Sequence, residues 1–487
     1  MFKKMIAIIT SVIILLTPIQ ASAVTWGEIV TGLQASDTFT SGETAAARTS
    51  EGEYVISGGK IDDLVEVSAL QFSDSLKVLF QNIGIEQLNA HAVNGKTIVV
   101  ILGSGSEITD RVNVYAHGKD TNLSLTNEGK MGYLEANVLD QAQAAIKNNE
   151  EIMRGMHNWV QDEGSRLEFV NDKEGLITGG MDNGAGEKGE FVFTNNGTIS
   201  GEQFNGAFDG GMLKNTNNGT MNVTNDRLHN YARGGGSFVE STNNGTINGG
   251  VMNQADYEGS RNVAANHGTV NGQYAFYTGD GGEVVGENNG TVNSLYAGAD
   301  GGQVSAVNNG KVKEEIRADA SHESMKADVT VINNGEADRM YVSAGENGML
   351  NVENNGRLTG DGKTRITIEW EGGEISKELS GELGIDAWDK GATVNVTNNG
   401  SAAAAYIGAA DGANASLKND GQIGNGEGVP LSSYAAEDGR LMVTGNGSLE
   451  PYTLKMEDGT ERTVSMIAQF GGNPSVEEIR QRVGEMV

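Results

Sequence analysis

Three groups of side chains have types and spacings that could do chemistry. Carboxylates recur at Asp-Gly corners as Asp209, Asp280, Asp300, Asp411 and Asp438. Stacked carboxylates repel unless a cation lies between them, which makes Asp280, Asp300 and Asp411 candidate calcium ligands. Only one Asp-Gly-Gly falls in each unit, however, and Arg233 and Asn347 interrupt the column. The second group is Tyr274, Tyr296, Tyr341 and Tyr406, each six residues after a corner glycine and flanked mostly by small or apolar residues. Period-2 alternation turns the flanks inward and the tyrosines outward, giving a column of rings that could stack on sugars and hydrogen-bond their hydroxyls. The third group is the six histidines, His91, His117, His157, His229, His267 and His322, which show no metal-ligand spacing and no nucleophile–base signature. No catalytic residue and no cofactor is therefore expected.

What must position these groups is a repeat. Asn-Asn-Gly closes at Gly197, Gly219, Gly245, Gly290, Gly310, Gly335, Gly356 and Gly400, with degenerate copies such as Asn266-His267-Gly268 and Asn419-Asp420-Gly421 between them. The step is about 22 residues, a length characteristic of coils in a solenoid. Each coil reads as two short alternating segments joined by two different corners, one Asn-Asn-Gly and the other Asp-Gly. Like corners then stack on like corners at the strand spacing of about 4.8 Å, a recurrence that a ladder of hairpins does not explain. Asn195, Asn217, Asn243, Asn266, Asn288 and Asn308 would form an amide ladder that satisfies buried polar groups at the corner. The Asn-Gly-Thr sequons at Asn196 and Asn289 are read as turn chemistry rather than as glycosylation sites.

Two double-length intervals, Gly129 to Gly175 and Gly356 to Gly400, read as one coil carrying an excursion. Residues 139–161 have helical spacing, with Ile146, Ile152, Met153, Met156 and Trp159 on the apolar positions. Residues 364–379 alternate around Ile366, Ile368 and Trp370, turn at Glu371-Gly372-Gly373 and return as a hairpin. This reading gives a solenoid over 105–447 with about 12 coils after Gly129, an N-terminal cap region over 24–104 and a C-terminal cap over 448–487. Ser475-Val476-Glu477-Glu478 has the form of a capping box and opens a short helix there. Lys3 and Lys4, the apolar run from Met5 to Leu16 and Ala21-Ser22-Ala23 have the order of a secretory signal peptide over 1–23. The expected location is extracellular, secreted or at a cell surface, with no membrane-integral segment left after cleavage.

Composition agrees with an all-β parallel β-solenoid. The 487 residues include 70 Gly, 4 Pro and no Cys, and only 6% are aromatic. Glycine serves corners, disulfides play no part, and a narrow interior has little room for large rings. A net charge of −31 disfavours nucleic acid and anionic membranes as partners.

The stacked Asn-Asn-Gly corners resemble those of the parallel β-helices of secreted bacterial proteins, both adhesin or autotransporter passengers and pectate-lyase-like enzymes, over about Gly105 to Gly447. The acidic corners resemble calcium-binding β-rolls only loosely. With the first resemblance, the repeats point to a non-enzymatic, adhesin-like surface-interaction or structural protein binding a glycan or matrix polymer, and the alternative it implies is a polysaccharide lyase or hydrolase. An enzyme of that type needs clustered carboxylates beside Arg or Lys, which are thin in these repeats. The absence of a C-terminal stretch able to form a membrane barrel sets the chain apart from autotransporters.

Overall fold

The computed structural model describes residues 24–470 apart from 71–73, 360–363, 371–372, 380–381, 426–429, 437, 456–460 and 465. The proposed signal segment at 1–23 and the proposed C-terminal helix lie outside the described residues. The chain is a parallel β-solenoid of about 16 turns, 66% strand and 4% helix.

Most turns have a strand of six or seven residues on one side, such as Glu283–Asn288, and a longer strand on the other, such as Thr291–Asp300. The longer strand bends early, and in several turns it splits into a two-residue piece and a main piece, as in Lys311–Val312 and Glu315–Ala320. The six-residue strands stack into one parallel sheet and the main pieces into the opposing one. Val, Ile, Leu, Met and Ala from both sheets fill a continuous core between them. Stacking begins at Tyr54–Ser57, which pairs in parallel with Ser75–Gln81, so solenoid turns already occupy much of the stretch assigned to the N-terminal cap.

The Asn ladder runs further than the sequence suggested. It is unbroken from Asn127 through Asn195, Asn217, Asn243, Asn266, Asn288 and Asn308 to Asn419, with amide-to-amide bonds of 2.7–2.8 Å between successive turns. The glycine that ends each of these corners has an ordinary negative φ, unlike the glycines of the Asp-Gly corner. Its requirement is space: a Cβ on Gly219, Gly245 or Gly290 would overlap the carbonyl oxygen of the corner glycine one turn below. Positive φ belongs to the opposite corner, where Asp209, Asp280, Asp411 and Asp438 take values of 47–64°.

The helical excursion at 139–161 is not formed. Those residues make one more turn of the solenoid, with strands Gln143–Asn148, Glu151–Ile152 and Met156–Val160. Its corner is Asn148-Asn149-Glu150, which lacks the glycine that marks the others. The apolar residues alternate along short strands, and their accidental helical spacing is overruled by pairing with the turns on either side. The hairpin excursion is present, with Thr364–Trp370 antiparallel to Gly373–Leu379.

The N-terminal end is closed by an unanticipated helix, Trp26–Ser36, begun by a Thr25–Glu28 capping box. Its buried Trp26, Ile29 and Leu33 lie over the end of the core, and the Trp26 indole N–H donates to the Glu66 carbonyl at 2.8 Å. An antiparallel hairpin, Thr38–Ser41 with Thr44–Arg48, pairs antiparallel to the first solenoid strand and ends the parallel edge.

Candidate functional site

Side chains on the main pieces of the longer strands alternate between core and solvent, and strand register places the outward ones in columns. Tyr296, Arg317, Tyr341, Gly384 and Tyr406 occupy successive turns of one column. Three of the four tyrosines picked from the sequence therefore share a face. Tyr274 does not. The turn that carries it has an extra residue between Val270 and Gln273, which shifts it opposite Leu295 instead of Tyr296. A one-residue slip reverses the face of every following side chain. Tyr274 accordingly points into the core, 2% exposed, with its ring 4.7 Å from that of Phe276.

A second outward column, two residues along, adds Tyr115, Trp159, Tyr231, Tyr277 and Tyr434. Phe204 and Phe208 lie on the turn just before that of Tyr231, the second of the two between Trp159 and Tyr231. The result is a half-buried strip of rings, densest where Trp159, Phe204, Phe208, His229 and Tyr231 meet at centroid distances of 5.3–6.3 Å. Glycines make the strip flat. A Cβ at Gly184, Gly206, Gly298, Gly384 or Gly408 would collide with the ring of Trp159, Phe208, Tyr296, Tyr341 or Tyr406 respectively, so each ring is folded down onto the sheet where the side chain is missing.

Carboxylates pin these rings in a recurring arrangement. A tyrosine on one turn faces an aspartate on the next turn, two residues beyond its paired position: Tyr231 with Asp256, Tyr277 with Asp300, Tyr296 with Asp319 and Tyr341 with Asp386. The Tyr231 and Tyr341 hydroxyls donate to Asp256 and Asp386 at 2.9 and 2.8 Å. Burial, reinforced by the neighbouring carboxylates, pushes Tyr231, Tyr296 and Tyr341 up to about 12, and burial followed by Asp386 raises Tyr406 in the same direction. The phenol hydroxyls are thus committed to the protein, and what the strip offers a ligand is ring faces with carboxylate oxygens beside them. The sequence does contain this signal, as a Tyr followed one coil plus two residues later by an Asp, but it is visible only once the register is known.

Beneath the densest part of the strip runs a second buried amide ladder that sequence reasoning missed: Asn158, Asn183, Asn205, Asn230 and Asn253, joined at 2.8–3.1 Å. It ends where Phe276 takes the next place in the column and Asn253 donates to the Ala275 carbonyl. Burial of His229 lowers its pKa, so this ring is held neutral beside Phe204 and Tyr231.

Beside the cluster lies a groove of about 720 Å³ lined by Tyr133, Arg154, Asp182, Glu202, Phe204 and Arg227 among others. Its far wall is raised by extra residues between Asn222 and Arg227, where the strand leaves register with its neighbours. His157 Nδ1 lies 3.1 Å from Asp182 at its edge, and Arg154 is paired with Asp110 at 3.3 Å.

The acidic corner residues are exposed along the edge of the stack. Asp300 stands one position before the αL column and belongs with Tyr277. Among the described residues, no three His, Asp or Glu side chains gather as a metal site. No described helix is long and apolar enough to cross a membrane. The chain matches no protein-family model, no curated protein and no solved structure.

Proposed function

We propose that the protein is an exported, non-enzymatic, adhesin-like rod that binds a glycan or matrix polymer along its ring strip. The observation that carries this reading is the row of rings laid flat over glycines and pinned by aspartates. Rigid ring faces flanked by acceptor oxygens suit sugars, whose C–H faces stack on aromatics while their hydroxyls donate to carboxylates. The rest of the strip repeats the same offer turn after turn, which favours multivalent contact with a long polymer. The opposite sheet faces solvent with cross-turn ion pairs such as Arg166–Glu190 and Lys214–Glu240, at 2.5 and 2.8 Å, and among the described residues its paired rings, Phe169, Phe191 and Phe193, are buried. Affinity electrophoresis through gels containing single polysaccharides tests the reading. Retardation by at least one polymer, lost in a Phe204→Ala/Tyr341→Ala variant with unchanged circular dichroism, is the expected result; free migration in every gel contradicts it.

A second reading, a polysaccharide lyase or hydrolase, draws on the groove, where Asp182 and Glu202 share a wall with Arg154 and Arg227. It requires release of new reducing ends or unsaturated products from a polysaccharide, lost in Asp182→Asn.

A further inference from the structure

Resting on the glycan reading above, we infer that the strip is built for a non-acidic, β-1,4-linked hexopyranose chain lying parallel to the solenoid axis, with the rings meeting every second sugar. The inference starts from the order within one column, Tyr296, Arg317, Tyr341, Gly384, Tyr406, in which rings alternate with non-rings. At one turn per ~4.8 Å, the residues that carry successive rings are ~9.6 Å apart along the axis. In an extended β-1,4 chain each sugar is flipped relative to the last, so the same face returns with every second unit, at a repeat close to two turns of this stack. A chain laid along the column would present one like-facing sugar to each ring. A chain crossing the column would meet a single ring, and a coiled α-1,4 chain would leave a straight row after a sugar or two.

The places between rings fit the flipped sugars. Gly384 carries no side chain of its own to stand between Tyr341 and Tyr406, and the Tyr341 ring lies flat over it. Arg317 lies across the Tyr341 ring at 5.7 Å and donates to Asp319 at 2.8 Å, so its charge is already matched within the strip. With Asp319 part-exposed beside the rings, and a chain charge of −31, a polymer of uronic acids would meet carboxylate on a negative molecule. Hydroxyl or amine groups would find acceptors.

The test is titration calorimetry of the exported chain with β-1,4-linked glucose and glucosamine oligomers of increasing length, α-1,4-linked glucose oligomers, and a polyuronate. The expected result is binding of the β-linked series alone. Affinity should rise in steps of two sugars and level off at about six units, because three rings two turns apart span about 19 Å. Tyr341→Ala, which removes the middle ring, should lower affinity for the hexamer about tenfold, roughly 1.4 kcal/mol, and abolish the steps, with circular dichroism and melting confirming the fold. An even gain with each added sugar, equal binding of α-linked chains, preference for the polyuronate, or an unaffected Tyr341→Ala variant overturns the inference while leaving glycan binding standing. Absence of binding to any of these oligomers also overturns it, and the gel screen with other polysaccharides then decides whether the broader reading survives.

Discussion

Single residues in this protein matter through what stands one turn above and below them. Asn243 accepts from Asn217 and donates to Asn266, both at 2.7 Å and out of contact with water. Asn243→Ala removes one partner from each neighbour, and each orphaned amide costs about 1–3 kcal/mol. Urea denaturation should show the midpoint fall, whereas an exposed Asn244→Ala control should barely move it. The tyrosines predict a pH effect. Tyr231, Tyr296 and Tyr341 have folded-state values raised to about 12 from 10.0. Their contribution to stability is therefore complete below pH 10 and is lost as pH rises from 10 toward about 12. Ultraviolet titration should find these phenols ionising late and together with unfolding; ionisation at pH 10 in the folded chain would contradict the pinned-ring geometry. Tyr296, Tyr341 and Tyr406 could be read as outward from the sequence because in their turns the sixth residue after the corner glycine falls in the outward column. Tyr274 could not, because a single extra residue in its turn is invisible without the pairing register.

At the level of elements, the legible features were those that repeat. The Asn-Asn-Gly corner marks a steric need common to every turn, and it revealed the parallel stack and its step. Where one turn spelled its corner Asn148-Asn149-Glu150, the marker vanished and the apolar residues of 139–161 mimicked a helix; pairing with both neighbouring turns decides the structure there. The second ladder escaped notice for a related reason. Asn158, Asn183, Asn205, Asn230 and Asn253 sit in mid-strand, where polar residues usually face water, and only burial shows that they face inward. The capping helix was hidden because it occurs once. Its Trp26 is 4% exposed and lies tilted against Phe80 at a centroid distance of 6.3 Å. Trp26→Ala should cost about 3–5 kcal/mol and uncover the first edge of the stack, so a lowered melting temperature accompanied by concentration-dependent aggregation is expected. A melting curve unchanged from wild type would show that the helix does not seal the end.

For the whole molecule, the two broad sheets divide the work. The six-residue-strand sheet presents cross-turn ion pairs such as Arg166–Glu190; the longer-strand sheet adds to such pairs rings, glycines and aspartates in register. The division follows from stacking, because any residue preference at one position of the coil becomes a stripe along the molecule. The site is thus a property of the register rather than of any one turn, which explains why the candidate rings were more legible in the sequence than the aspartates that hold them. The central claim is that the ring strip on the longer-strand sheet is the binding surface. Hydroxyl-radical footprinting read by mass spectrometry, with and without a saturating polysaccharide identified by the gel screen, tests it most directly. Tyr296, Tyr341 and Tyr406 should be protected on binding, with the buried Tyr274 unreactive in both states. Bound ligand that leaves those three rings as reactive as before, with protection confined to another face, would contradict it.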